Sequence, residues 1–208
     1  MQPDRNSLIL GAIDRALTFD RPSLLAAHRT FLTKYPHDSR ERLAQRLVSS
    51  SAWQAVASGA ITGLPSNPWV SLPAALADTA AMIRIEVYVA ARVALLFDER
   101  YFDREALRYE LMLPVMGGYV ASAPFGEPAD HGKASVTKRV LRNLLSKESL
   151  RHLKALMLKY FGTKVTQRAL VTKSLPLAGG FLSGAWNYVE LRMVGERCYA
   201  YFAAAHPK

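Results

Sequence analysis

The sequence predicts an all-α protein: a single compact multi-helix bundle whose apolar helices are broken by proline. Three observations predict it. Apolar residues recur at helical spacing along most of the 208 residues, and strand-like alternation is nearly absent. Half the residues are apolar, enough for one substantial core in a chain of this length. Three long runs, 47–77, 111–126 and 174–189, carry no charged side chain, and Pro65, Pro68, Pro73, Pro114 and Gly117-Gly118 punctuate the first two.

The elements follow in order. Asn6 or Ser7 can cap a short first helix bearing Leu8, Ile9, Ala12, Ile13 and Ala16. Pro22 suits the first turn of a second helix, which carries Leu24, Leu25, His28 and Leu32 and stops before Pro36. Asp38 or Ser39 caps a third, with Leu43, Leu47 and Val48 on one side, continuing to Gly63-Leu64-Pro65. After the turn chemistry of Ser66-Asn67-Pro68, a long helix runs from about Ser71 to Phe97. Pro114 and Gly117-Gly118 break the next apolar stretch, and 123–132 has linker composition. Two or three amphipathic helices follow, with Ser146 a cap and Gly162 a stop. Pro176 opens the last helix, which ends near Ala205, for eight or nine helices in all.

The charge is concentrated in one block. Lys133, Lys138, Arg139, Arg142, Lys147, Arg151, Lys154, Lys159, Lys164, Arg168 and Lys173 stand against Glu148 alone, eleven minus one, which equals the formal +10 of the whole chain. Val136, Val140, Leu141, Leu144 and Leu145, then Leu150, Leu153, Leu156, Met157, Tyr160 and Phe161, give that block an apolar stripe. Basic amphipathic helices bind anionic membrane surfaces or acidic partners, and each Lys or Arg near an anionic leaflet contributes about 1 kcal/mol. The anion-binding candidates are therefore Lys133, Lys138, Arg139, Arg142, Lys147, Arg151, Lys154 and Lys159. The ordinary alternative is a solvated face, which the near absence of acids weakens. RNA or DNA is the rival anion, but two aromatics, Tyr160 and Phe161, make a poor stacking platform.

The lone Cys198 excludes an internal disulfide and fits a reducing compartment, and no secretory signal precedes the first helix. The expected location is the cytoplasm, peripheral to the inner membrane. The run 47–77 is long enough to span a bilayer. Its serines, Gln54, Thr62 and Asn67, with Pro65, Pro68 and Pro73 interrupting any single helix, argue instead for a broken helix pair.

Polar residues inside apolar arcs are the candidate site. With Asp78 set at 0° on the long helix, Met82, Ile85, Val89, Val93 and Leu96 fall within about 60° of it, and Glu86 at about 80°. Asn187 lies at the centre of a stripe of Gly180, Gly184, Leu191, Val194, Cys198 and Phe202, with Glu190 at its edge near Arg197. A buried carboxylate needs a partner or a raised pKa, and the Asn187 amide could serve Asp78 or an interrupted backbone. Asp78, Glu86, Asn187 and Glu190 thus read either as a cluster binding an ion or head group, or as a core network fixing helix register. Asp78, Glu86 and Glu190 are the weak catalytic candidates. Gly59–Gly63 and Gly180–Gly184 match the close-packing spacing GxxxG.

Recognised catalytic patterns are missing. His28, His37, His131, His152 and His206 show no zinc spacing, and no phosphate-cradling glycine loop or GxSxG elbow occurs, so no metal or cofactor is expected. Ser135-Val136-Thr137-Lys138 matches SxxK without its companion motifs.

Two stretches together resemble the EcsC protein family of bacteria. The first runs from Ala57 through Gly59, Gly63, Leu64 and Pro65 to Leu76-Ala77-Asp78, Ile83-Arg84-Ile85-Glu86 and 90–98. The second is Lys173 to Asn187, with Pro176, Gly179, Gly180 and Gly184, followed by Val194-Gly195. The resemblance divides the chain into an N-terminal helical extension, 1–50, and an EcsC-like α-helical domain, 51–208, within one structural unit. It implies a membrane-associated helical protein, sometimes encoded beside transporters, and supplies no catalytic role. The expected function is an accessory protein binding anionic lipid, or an acidic or transporter partner, at the cytoplasmic membrane face. An enzyme with a carboxylate-lined pocket for a lipid-like substrate, and a nucleic-acid binder, are the alternatives.

Overall fold

A computed structural model describes residues 10–62 apart from 12 and 16, then 68–103, 109–117, 147–174 and 179–206. Side chains are described within these segments except at 57–62, 68–78, 147–150, 152, 168–174 and 179–183. The described residues form an all-α bundle without strands. Its elements are α1 (Arg21–Lys34), α2 (Arg40–Thr62), α3 (Pro68–Leu95), a 3-10 turn (Tyr101–Asp103), α4 (Met112–Met116), α5 (Lys147–Ser174) and α6 (Gly179–Ala205). Leu10, Gly11 and 13–15 are helical as well, and Ile13 and Leu17 join the common core.

Local chemistry sets several boundaries. Ser39 caps α2, its Oγ accepting the Arg42 N–H at 3.3 Å. The neighbouring Asp38 instead holds the Arg46 guanidinium at 2.6 Å. Pro68 opens α3, where a missing N–H costs nothing. Pro114 sits in the first turn of α4 for the same reason, so it does not break that segment. Gly117 ends α4 with φ +53°, a conformation that side chains disfavour.

Two further sequence expectations about breaks are corrected. Pro73 does not interrupt the helix: α3 runs from Pro68 through it to Leu95. Gly162 does not stop the basic segment, because Lys147–Ser174 is one continuous helix. Glycine inside a helix costs about 1 kcal/mol relative to alanine. The burial of Leu153, Met157, Tyr160, Phe161 and Val165 on either side outweighs it. The loop 63–67, the linker 123–132 and the caps at Ser146 and Pro176 lie outside the described residues.

Helices α3 and α6 are the hubs. The second half of α3 is buried almost all round, with Met82, Ile83, Val87, Val89, Ala90, Ala91, Val93, Ala94 and Leu95 each at most 2% exposed. It packs on α1, α2, α4, α5 and α6, and α6 packs on α2, α3, α4 and α5. On α6 the buried stripe is the anticipated one, comprising Gly184, Asn187, Leu191, Val194, Gly195, Cys198 and Phe202. Helix α2 crosses position 50/51 unbroken, and Leu43, Leu47 and Val48 enter the same core as α3 and α6.

The α2–α6 crossing is tight and antiparallel. A Cβ on Gly184 would lie 3.2 Å from the Val56 carbonyl, and one on Gly195 would overlap the Val48 side chain. Between those points, Asn187 Nδ2 donates to the Ala55 carbonyl at 3.1 Å. Small residues let the two backbones approach, and the amide joins them where they meet.

Candidate functional site

Three helices bring one charged side chain each to a common point in the core. Glu86 of α3 is fully buried, Lys164 of α5 is buried, and Glu190 of α6 is partly exposed. The Lys164 ammonium donates to Glu86 Oε1 at 2.6 Å and contacts Glu190 Oε1 at 2.8 Å. Its Nζ also sits 4.7 Å from the centre of the Tyr160 ring, one turn back on α5. The Tyr160 hydroxyl in turn donates to the Val115 carbonyl at 3.3 Å, tying this point to α4.

The electrostatics follow from the arrangement. Burial alone would lower the affinity of Lys164 for its proton. The charge of Glu86, then Tyr160 and Glu190, outweighs burial and holds the ammonium above the ordinary lysine value. Burial, reinforced by Glu86, raises the Tyr160 phenol. Cys198 is fully enclosed, and burial pushes its thiol up, which makes it unreactive. Lys164 thus remains an ammonium: it is neither nucleophile nor base, but the counter-charge for two carboxylates.

This outcome revises the expected polar cluster. Glu86 and Glu190 do come together, through Lys164. Asn187 donates to backbone, one of the two kinds of partner expected for it, in its described bond to the carbonyl of Ala55 on α2. Asp78 lies on α3, and its side chain is outside the described residues. Lys164 belongs to the charge count of the basic block but not to its anion-binding candidates, and in the structure it points into the core. A signal for it existed. On a helical wheel centred at Lys164, Leu153, Met157, Tyr160 and Phe161 fall within about 60°, which puts the lysine in the middle of the apolar arc.

A second buried carboxylate had no sequence signal. Glu110 accepts the Tyr101 hydroxyl on Oε2 and the Tyr201 hydroxyl on Oε1, each at 2.9 Å. Burial first, and the Glu110 charge next, push both phenols well above their usual range. Beside it, Arg197 donates from Nε to the Pro114 carbonyl at 3.2 Å and from Nη2 to the Val115 carbonyl at 3.1 Å. The guanidinium thereby satisfies backbone that Pro114 and the short helix α4 leave open. Among the described residues, no three His, Cys, Asp or Glu side chains are grouped to hold a metal ion.

The surface carries two further features. Arg151, Lys154 and Lys159 are exposed on α5, and Lys154 lies 5.9 Å from the Tyr109 ring. Lys133, Lys138, Arg139 and Arg142 lie outside the described residues, as does the side chain of Lys147. Among the described residues, four large apolar side chains are also exposed: Trp53 at 66%, Trp186 at 60%, Val189 at 56% and Met193 at 52%. Among the described residues no helix is long and apolar enough to cross a membrane. No protein-family model, curated protein or solved structure matches this chain.

Proposed function

We propose that this protein is a non-catalytic accessory protein that binds an anionic lipid surface peripherally, at the cytoplasmic membrane face. The observation that carries the reading is the division of α5. Its core-facing lysine, Lys164, is neutralised inside the bundle, while Arg151, Lys154 and Lys159 face outward. The rest of the basic block, 133–147, leads into the same helix. A cationic face with scarcely any acid in sequence around it attracts anionic headgroups within a Debye length, about 8 Å at physiological salt. The likeness to EcsC proteins supports the same placement. The buried Glu86–Lys164–Glu190 set serves the fold that presents this face.

Co-sedimentation with phosphatidylcholine vesicles, with and without phosphatidylglycerol, tests the reading. Binding is expected only to the anionic vesicles and falls as salt rises. Replacing Arg151, Lys154 and Lys159 by Gln removes about 3 kcal/mol of attraction, a roughly 100-fold loss in partitioning. Equal binding to both vesicle types, or none at low salt, sinks the proposal.

A further inference from the structure

We propose that Trp53, Trp186, Val189 and Met193 form the face that this protein lays into the headgroup–acyl boundary of an anionic bilayer. This inference rests on the lipid-binding reading above and names the surface that would do the entering.

The stripe is separate from everything the core uses. With Gly184 at 0° on α6, the buried positions Asn187, Leu191, Gly195, Cys198 and Phe202 lie within about 60°. Val189, Met193 and Trp186 lie at about 140°, 180° and 200°, on the opposite side of the helix. Glu190, at about 240°, borders that stripe on one side, the exposed Arg192 and Glu196, at about 80° and 120°, border it on the other, and Tyr188 lies beyond them at about 40°. Tyr188 meets Trp53 of α2 edge-to-face, centroids 5.7 Å apart, and Glu190 meets Lys164 of α5. The exposed stripe thus runs between the cationic helix on one side and the Arg192–Glu196 edge on the other, and the exposed Ala185, at about 100°, links its first turn to Tyr188 and Trp53.

The antiparallel register sharpens the placement. Gly195 lies against Val48, Asn187 against Ala55 and Gly184 against Val56. This register brings the uncharged run 47–62 of α2 alongside the uncharged opening of α6, 179–189. Five residues separate the end of α2 from the start of α3, whose first ten residues, 68–77, are uncharged as well. Three helix segments without a charge therefore share one end of the bundle. Beside Trp53, the exposed α2 positions Ser49, Ser50 and Gln54 are polar but neutral, so no ion is carried into the boundary with it. Exposed charges stand further out: Lys159 on α5, Arg192 beside Glu196 on α6, and Arg42 and Arg46 on α2, both paired with Asp38.

This is the pattern of an interfacial surface. Tryptophan prefers the headgroup level, apolar neighbours bury below it, and cations meet the phosphates around it. A second copy of the chain fits the stripe less well. Four such side chains expose an area on the order of 500 Å². A stable protein interface uses about 800 Å² from each partner.

Tryptophan fluorescence against vesicles of known composition tests the inference. The chain has tryptophans at 53, 69 and 186, so variants keeping only Trp53 or only Trp186 report each position. With phosphatidylglycerol-containing vesicles, both emissions shift to shorter wavelength, dibrominated acyl chains quench them, and aqueous iodide quenches them less. A Trp186→Ser/Met193→Ser variant retains its circular dichroism and melting temperature, yet partitions about tenfold more weakly. If the protein binds anionic vesicles while iodide still reaches both tryptophans and brominated lipid does not, the inference is overturned and the lipid-binding reading stands. If it binds no anionic vesicle, both fall. A lipid-free dimer that the double variant converts to monomer assigns the stripe to a second copy and also overturns the inference.

Discussion

At the scale of single residues, the informative choice is Lys164. A lysine at an apolar position of α5 has to find a counter-charge or lose its proton, because desolvating an isolated ammonium is expensive. Two carboxylates at 2.6 and 2.8 Å settle the matter in favour of the charged form. Its proton affinity in the folded chain exceeds that in the unfolded chain. Its contribution is therefore complete below the unfolded value, about 10.5, and fades as alkaline pH rises through the folded one. Lys164→Met keeps the volume and removes the charge, depriving Glu86 and Glu190 of this shared counter-charge. Breaking a buried pair in this way costs about 3–5 kcal/mol. Urea unfolding near pH 7 is expected to show a loss near the lower figure, since Glu190 is 19% exposed and can draw water. Adding Glu86→Gln to that variant should recover part of the loss, because the more deeply buried of the two carboxylate charges is gone. A loss under about 1 kcal/mol for Lys164→Met, in the range of an exposed pair, would contradict the buried clip.

Among elements, the α2–α6 crossing governs how the bundle closes. Gly195 is needed for contact rather than for backbone freedom, since a Cβ there would overlap Val48. Gly195→Ala is expected to destabilise by about 1–3 kcal/mol, the usual cost of overpacking. Val48→Ala makes room, so the double variant should be less destabilised than the two singles added together. Thermal unfolding of the four proteins measures that coupling, and strict additivity would show that the helices do not cross there. This crossing was half legible in the sequence. The stripe on α6 could be read from its 3.6 periodicity, and Gly184 from its GxxxG spacing. What could not be read was the partner, because Asn187 and Ala55 are 132 positions apart. The same limit hid Glu110, whose tyrosines stand 9 and 91 positions away and share no helix face with it. Gly162 misled for a different reason: local propensity favours a stop, and burial of both flanks of α5 overrides it.

For the molecule as a whole, charge is sorted by depth. The chain carries a formal +10, while the described interior holds no excess of cations: Lys164 stands between two glutamates, and Glu110 accepts hydrogen bonds from two neutral phenols. The excess is therefore a property of the surface, where like charges repel and favour expansion of the chain. Composition made the excess visible, and the apolar arc around Lys164 together with its burial in the fold removes that lysine from the surface. Surface and interior should respond differently to salt. Raising ionic strength from 0.01 to 0.1 M shortens the Debye length from about 30 to about 10 Å, which screens the exposed cations and leaves the buried clip nearly untouched. The melting temperature is expected to rise with salt, and each kcal/mol of relief reads as about 2–4 °C in a chain of this size. Lys164→Met should melt lower at every salt concentration while gaining as much from salt as the parent protein. Parallel curves place the clip inside the low-dielectric core and the excess outside it. Curves that converge at high salt would mean that solvent ions reach Lys164, and the separation of inner and outer charge would fail.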